Sequence, residues 1–197
     1  MRHVLPATLL LASTLVGCGG GTTMISGQFT ASATAPSPGL VKLVRKSGSG
    51  GRVVVDAVIY GPEPALDLAG FAFGVRIGET SIARFAPQTM YRQTALVAGA
   101  GQTIAIDVDG ASDPSVVAVR VDTQGGGPGN GIPGASAVVI ELSFDLTGPG
   151  ATSLTLVGIG NERPEALSST RTPIGAVTFD GVSATLRGVA TGGGGGY

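Results

Sequence analysis

The chain has 197 residues with 12 basic and 13 acidic side chains, a net charge of −1, one Cys, one His and no Trp. That length suits one domain with tails, large enough to bury a core without a disulfide framework; the near-balance of charge leaves no broad field to gather nucleic acid. Glycine fills 34 positions, and because a Gly inside a helix costs roughly 1 kcal/mol relative to Ala, the composition favours a β-rich, turn-rich fold.

Arg2 and His3 precede a nearly unbroken apolar stretch over residues 4–16. It is too short to span a bilayer as a helix, which takes ~20 residues, and has the length of a secretory h-region. It ends in Leu15, Val16, Gly17 and Cys18, a quartet that resembles the bacterial lipobox. The resemblance implies a signal peptide over residues 1–17 and a mature chain beginning at a lipidated Cys18, held stably by several acyl chains. A plain secretory signal cut nearby, or an uncleaved anchor, is the alternative. Gly19 rather than Asp follows the cysteine, which by the sorting habit of enterobacterial lipoproteins favours the outer membrane.

Residues 18–38 are small, uncharged and poor in apolar side chains, and read as a flexible tether, although the piece around Met24, Ile25 and Phe29 has the makings of an edge strand. From there to residue 190, apolar runs alternate with turn signals about every ten residues. Strands are predicted over 40–46, 52–60, 68–77, 81–86, 103–109, 115–122, 135–146, 152–158, 174–180 and 182–188. In the third, Phe71, Phe73, Val75 and Ile77 fall on one side and Ala72, Gly74 and Arg76 on the other, the period-2 signature of a strand with its bulky face inward. Only residues 87–100 leave room for a helix. Residues 191–197 read as a disordered glycine tail. Many short strands, each partly apolar on both faces, predict an all-β fold: a two-sheet sandwich over residues 39–190.

Chemistry is restricted by the same counts. The single histidine lies in the predicted signal and the single cysteine is the lipid site, so the mature chain has neither a Ser-His-Asp nor a Cys-His arrangement, nor a His/Cys zinc site. Acid pairs drawn from Asp56, Glu79, Asp107, Asp109, Asp122, Glu141 and Asp145 are expected to be solvent-facing strand or turn residues. Asp107, Asp109 and Asp113, spaced around Gly110, are a calcium candidate, with an Asx turn as the alternative. No other cofactor is implied. The glycine run 125–131 lacks the Lys-Ser/Thr of a phosphate loop and reads as a connector. Lys42, Arg45 and Lys46 are expected to guard a sheet edge. Tyr91 and Arg92 are candidate exposed contacts.

The stretches VVVDAV and ALDLAGFAFGVRI, then VVIELSFDLTGPGATSLTLVGIG, then IGAVTFDGVSATLRG resemble in order the segments of cohesin modules, over about residues 40–188. The resemblance implies a nine-stranded jelly roll, related to bacterial carbohydrate-binding modules, that contacts a protein partner through a sheet face. Cellulosomal cohesins use such a face for dockerins; this chain differs from them in the insertion at 125–131. The expectation is therefore a non-catalytic, lipid-anchored envelope module, tied to the membrane through Cys18 and binding a protein partner, with polysaccharide binding as the alternative and an acid-pair enzyme as a third reading. Nucleic acid is not an expected partner.

Overall fold

The computed structural model describes residues 24–191. The predicted signal peptide, Cys18 and nearly all of the glycine tail lie outside them. Fourteen strands follow one another: β1 (Met24–Thr30), β2 (Leu40–Ser49), β3 (Arg52–Tyr60), β4 (Glu63–Leu68), β5 (Gly70–Ile77), β6 (Ala83–Ala86), β7 (Thr103–Asp109), β8 (Val116–Gln124), β9 (Asn130–Ile132), β10 (Ser136–Leu146), β11 (Gly150–Val157), β12 (Glu165–Leu167), β13 (Thr178–Phe179) and β14 (Ala184–Thr191). No helix occurs among the described residues.

Two sheets stack. A seven-stranded sheet runs β1-β14-β11-β5-β8-β7, with β12 pairing the N-terminal end of β5 and β11 its C-terminal end, and a five-stranded sheet runs β13-β2-β3-β10-β6. All pairings are antiparallel except β13 on β2. The small β4-β9 ribbon sits apart. Alternation drives the stacking, because successive side chains in a strand point to opposite faces and the bulky set must leave water. Phe71, Phe73, Val75 and Ile77 of β5 meet Val53, Val55, Ala57 and Ile59 of β3 and Ile140, Leu142 and Phe144 of β10 in one continuous core. Phe73 packs against Phe179 with ring centroids 5.6 Å apart and planes tilted by 45°, locking the short β13 onto the opposite sheet.

Three expectations need correction, and residues 87–100, where the sequence left room for a helix, are settled as well. Residues 24–30 are not tether but β1, zipped along the full length of β14 from Met24↔Thr191 to Thr30↔Thr185, so the ordered domain begins well before residue 39. Half-burial of Ile25 and Phe29 against the core explains the docking. Lys42 does not guard an edge, because β13 covers β2 on that side; its side chain is 6% exposed. Residues 87–100 form no helix: Thr94 and Ala95 donate to the Val138 carbonyl and Glu141 donates to that of Arg92, continuing the β10 edge beyond β6. The run 125–131 is not wholly a connector, since Asn130 and Gly131 belong to β9 and the Gly129 N–H is held 2.6 Å from Asp67 Oδ1.

Candidate functional site

A sandwich presents two outer sheet faces, and here they differ. On the five-stranded sheet three ion pairs tie neighbouring segments together, while Arg45 and Arg84 stay exposed without one among the described residues. Lys46 pairs with Glu141, Arg52 holds Asp145 bidentately at 2.7 and 2.9 Å, and Arg92 reaches Asp56 at 3.8 Å. Gln88 donates to Ser143 Oγ at 3.1 Å across the edge.

The outer face of the seven-stranded sheet pairs Asp122 of β8 with Arg171 and has a smoother relief. Register sets its rows: Asp107, Arg120, Ala72 and Glu165 lie side by side, then Asp109, Ala118, Gly74 and Val157, then Val116, Arg76 and Thr155. The middle row is a shallow trough, because Ala118 and Gly74 carry almost no side chain. A Cβ on Gly74 would stand 3.0 Å from Val116 and 3.1 Å from Val157, so even a methyl would press on both walls. Arg76 and Arg120 project outward at this trough and Arg187 projects from β14 farther along the same face; all three are exposed and none forms an ion pair among the described residues. The trough opens into a cleft of about 360 Å³ lined by Arg76, Asp109, Ser112, Asp113, Val116 and Ile159, among others.

The calcium candidates border this cleft without forming a metal group. No cluster of three His, Cys, Asp or Glu side chains suited to a metal occurs among the described residues. Asp109 accepts from the Ala111 and Ser112 amides at 2.8 and 3.1 Å and from Ser112 Oγ at 2.5 Å, while Asp113 accepts from Ser115 N and Oγ at 2.8 and 2.7 Å. Both carboxyls are held below the usual carboxylate range, chiefly by the serine hydroxyls. They act as turn formers, which is the Asx alternative. Asp107 projects from the β7 edge beside Arg120.

Tyr91 and Arg92 are on the other face. Tyr91 is half-buried against the core and accepts the Gln88 N–H at 3.4 Å; Arg92 is exposed but turned toward Asp56. Sequence reasoning did not single out Arg76, Arg120 and Arg187 as a set. The alternation of β5 placed Arg76 outward, but only register brings the three to one face.

No family profile matches the chain, and no curated protein does. Solved structures do. A type II cohesin from Bacteroides cellulosolvens superposes with a TM-score of 0.51 at 10% identity, covering 73% of this chain and 95% of that one. The domain is cohesin-like in fold. Two Acetivibrio cellulolyticus structures are also similar: a type II cohesin domain (TM-score 0.48, 8% identity, 76% and 95% coverage) and a type II cohesin dyad (0.49, 7%, 75% and 48%). The chain thus spans about half the length of the dyad. At such identities the likeness fixes the path of the cohesin-like chain and not its partner.

Proposed function

We propose that the chain is a non-catalytic, lipid-anchored envelope module that binds a protein partner through the outer face of the seven-stranded sheet. One observation carries the reading: this face combines a smooth floor of Ala118, Gly74 and Ala72 with Arg76 and Arg120 beside it, both exposed and without an ion pair among the described residues, and with an adjoining cleft, whereas the opposite sheet is crossed by the Lys46–Glu141, Arg52–Asp145 and Arg92–Asp56 ion pairs. Side-chain-poor surface lets a partner's backbone approach closely, and arginines at its margins supply directional hydrogen bonds. The anchor is the thioether-linked lipid on Cys18, and the outer membrane its expected location.

A polysaccharide ligand has less support. Sugar rings pack on exposed aromatic faces, while the exposed large apolar side chains among the described residues are Met24, Met90, Val97 and Val182.

Photo-crosslinking tests the assignment of the face. A benzophenone residue at Ala118 is expected to capture a discrete protein in the native envelope, and one at Val54 on the other face is not; equal capture at both sites, or a glycan-array signal with no protein product, would overturn the reading. Mass spectrometry of the mature N-terminus tests the anchor, with a diacylglycerol adduct on Cys18 expected and an unmodified thiol fatal to it.

A further inference from the structure

Between β1 and β2 the chain crosses from one sheet to the other, and its first residues are gripped from both sides. Lys42 of β2 donates its ammonium to the carbonyl oxygens of Ser32, at 2.8 Å, and of Thr34. Asp180, just past β13, accepts from the Ser32 hydroxyl and from the Thr34 hydroxyl at 2.9 Å, and also from the Val182 N–H at 3.0 Å. The two alternate residues of an extended segment thus give both carbonyls to a lysine and both hydroxyls to an aspartate. Lys42 and Asp180 are 6% and 5% exposed, so opposite charges are buried on the two flanks of the strap, joined through it. A buried charge whose partner is removed is costly, and this makes the strap a strong point of attachment.

The arm on the N-terminal side of the strap is built differently. No residue of β1 is fully buried, and β1 is a sheet edge whose only strand ladder is to β14, with one further backbone bond from the Gly27 N–H to the Gly50 carbonyl at 2.8 Å. Met24 faces Thr191, so the two ends of the described chain leave the domain side by side. Tension applied at the N-terminus therefore loads the β1-β14 ladder from its end, breaking its hydrogen bonds one after another rather than all together. Regions with few buried contacts and exposed backbone bonds open at lower free energy than the core.

We infer that β1 and the Lys42–Asp180 clamp form a two-length tether: under load β1 peels from β14 and lengthens the link to the N-terminus, and the clamp on Ser32 and Thr34 stops the peeling before it reaches β2. The seven residues of β1 hold about 24 Å of chain at ~3.4 Å per residue. A docked arm holds the domain near its attachment point, and a peeled arm lets it follow a moving partner without unfolding. The physiological use of the device rests on the proposed anchor at Cys18; the device itself does not.

Optical-tweezers extension of the unlipidated chain from residue 18 onward, held by the Cys18 thiol and a C-terminal handle, tests it. The expected record is a reversible first step releasing roughly 24 Å of contour, followed at higher force by cooperative unfolding. In Asp180→Asn and Lys42→Met the first step is expected to about double in length, since the next firm hold is at Gly39, whose N–H bonds the Tyr60 carbonyl at 2.8 Å. A single unfolding event with no earlier step, or a first step unchanged in both variants, would overturn the inference. Native-state hydrogen exchange supplies a check independent of the variants' stability: amides of β1 must exchange at least tenfold faster than those of β3, and equal protection refutes a separable arm. An unmodified Cys18 in the envelope would remove the anchor while leaving these two results intact.

Discussion

Asp56 of β3 and Glu141 of β10 are direct cross-strand neighbours, two carboxylates side by side on the five-stranded sheet. Asp56 is 7% exposed, and no protein donor reaches its Oδ1. Glu141 takes the Lys46 ammonium, and Arg92 stands 3.8 Å from the other Asp56 oxygen. Burial raises the Asp56 pKa above its ordinary value, Lys46 and Arg92 oppose the rise and Glu141 adds to it.

The sign of the resulting pH dependence follows from the folded state's tighter hold on the proton. The stability contributed by protonated Asp56 is fully present below its unfolded pKa of ~3.9 and is lost as pH rises through the raised folded value. Asp56→Asn keeps the shape without the charge. Its midpoint of thermal unfolding is expected to rise by about 2–4 °C at pH 7, the size of ~1 kcal/mol in a domain of this length, and to match wild type near pH 4. A variant less stable than wild type at pH 7 would show that the Arg92 and Lys46 contacts outweigh the burial.

Asp180 carries the opposite sign. Burial pushes its pKa up, but the Ser32 hydroxyl, the Val182 N–H, the Thr34 hydroxyl and Lys42 together bring it below the ordinary carboxylate value. Its contribution is present above the unfolded pKa and disappears as pH falls through the lowered folded value. Acidification below pH ~4 should therefore loosen the strap, read as faster proteolytic nicking between residues 31 and 38. At pH 7 Asp180→Asn is expected to cost about 1–3 kcal/mol in urea unfolding, because it weakens hydrogen bonds to a buried charged group and leaves Lys42 less compensated.

Phe73 tests the contact between sheets. It is fully buried and packed against Phe179, so Phe73→Ala removes a large side chain from the centre of the core. A loss of about 3–5 kcal/mol is expected in chemical denaturation. A loss below 1 kcal/mol would mean that the two sheets collapse readily onto the vacancy.

Gly158 closes the loop beside the cleft. A Cβ there would lie 1.5 Å from the Glu162 carbonyl oxygen, a backbone atom that no rotamer change can move aside. Gly158→Ala should cost about 1–3 kcal/mol through a forced backbone shift. Gly175→Ala is the control, since a Cβ at Gly175 meets nothing within 4 Å; equal midpoints of thermal unfolding for the two variants would contradict the close approach.

Much of the sandwich was legible residue by residue. The alternation of 68–77 placed Phe71, Phe73, Val75 and Ile77 inward and Arg76 outward, as found. The strands that escaped notice, β4, β9 and β12, are three to six residues long with weak patterning; β12 exists because the longer β5 offers an edge, and β4 and β9 because the fold brings them to each other. Lys42 was misread for a related reason: a lysine in a Val-rich strand looks like edge protection until something arrives to cover it. The candidate face was half legible, because alternation says which side of its own strand a residue takes but not which strands will lie beside it.

The sequence by itself determined the fold class, the inward and outward sets of the long strands, and that the one His and the one Cys both fall within the first 18 residues, because composition and period-2 alternation are local properties. Tertiary structure alone decided which strands became neighbours, that Arg76 and Arg120 would flank one trough on the seven-stranded sheet, and that Ser32 would meet Asp180 across 148 residues of chain. Those outcomes depend on register and on which strand ends meet, which are settled only when the whole set of strands competes for partners and the two sheets close on a common core.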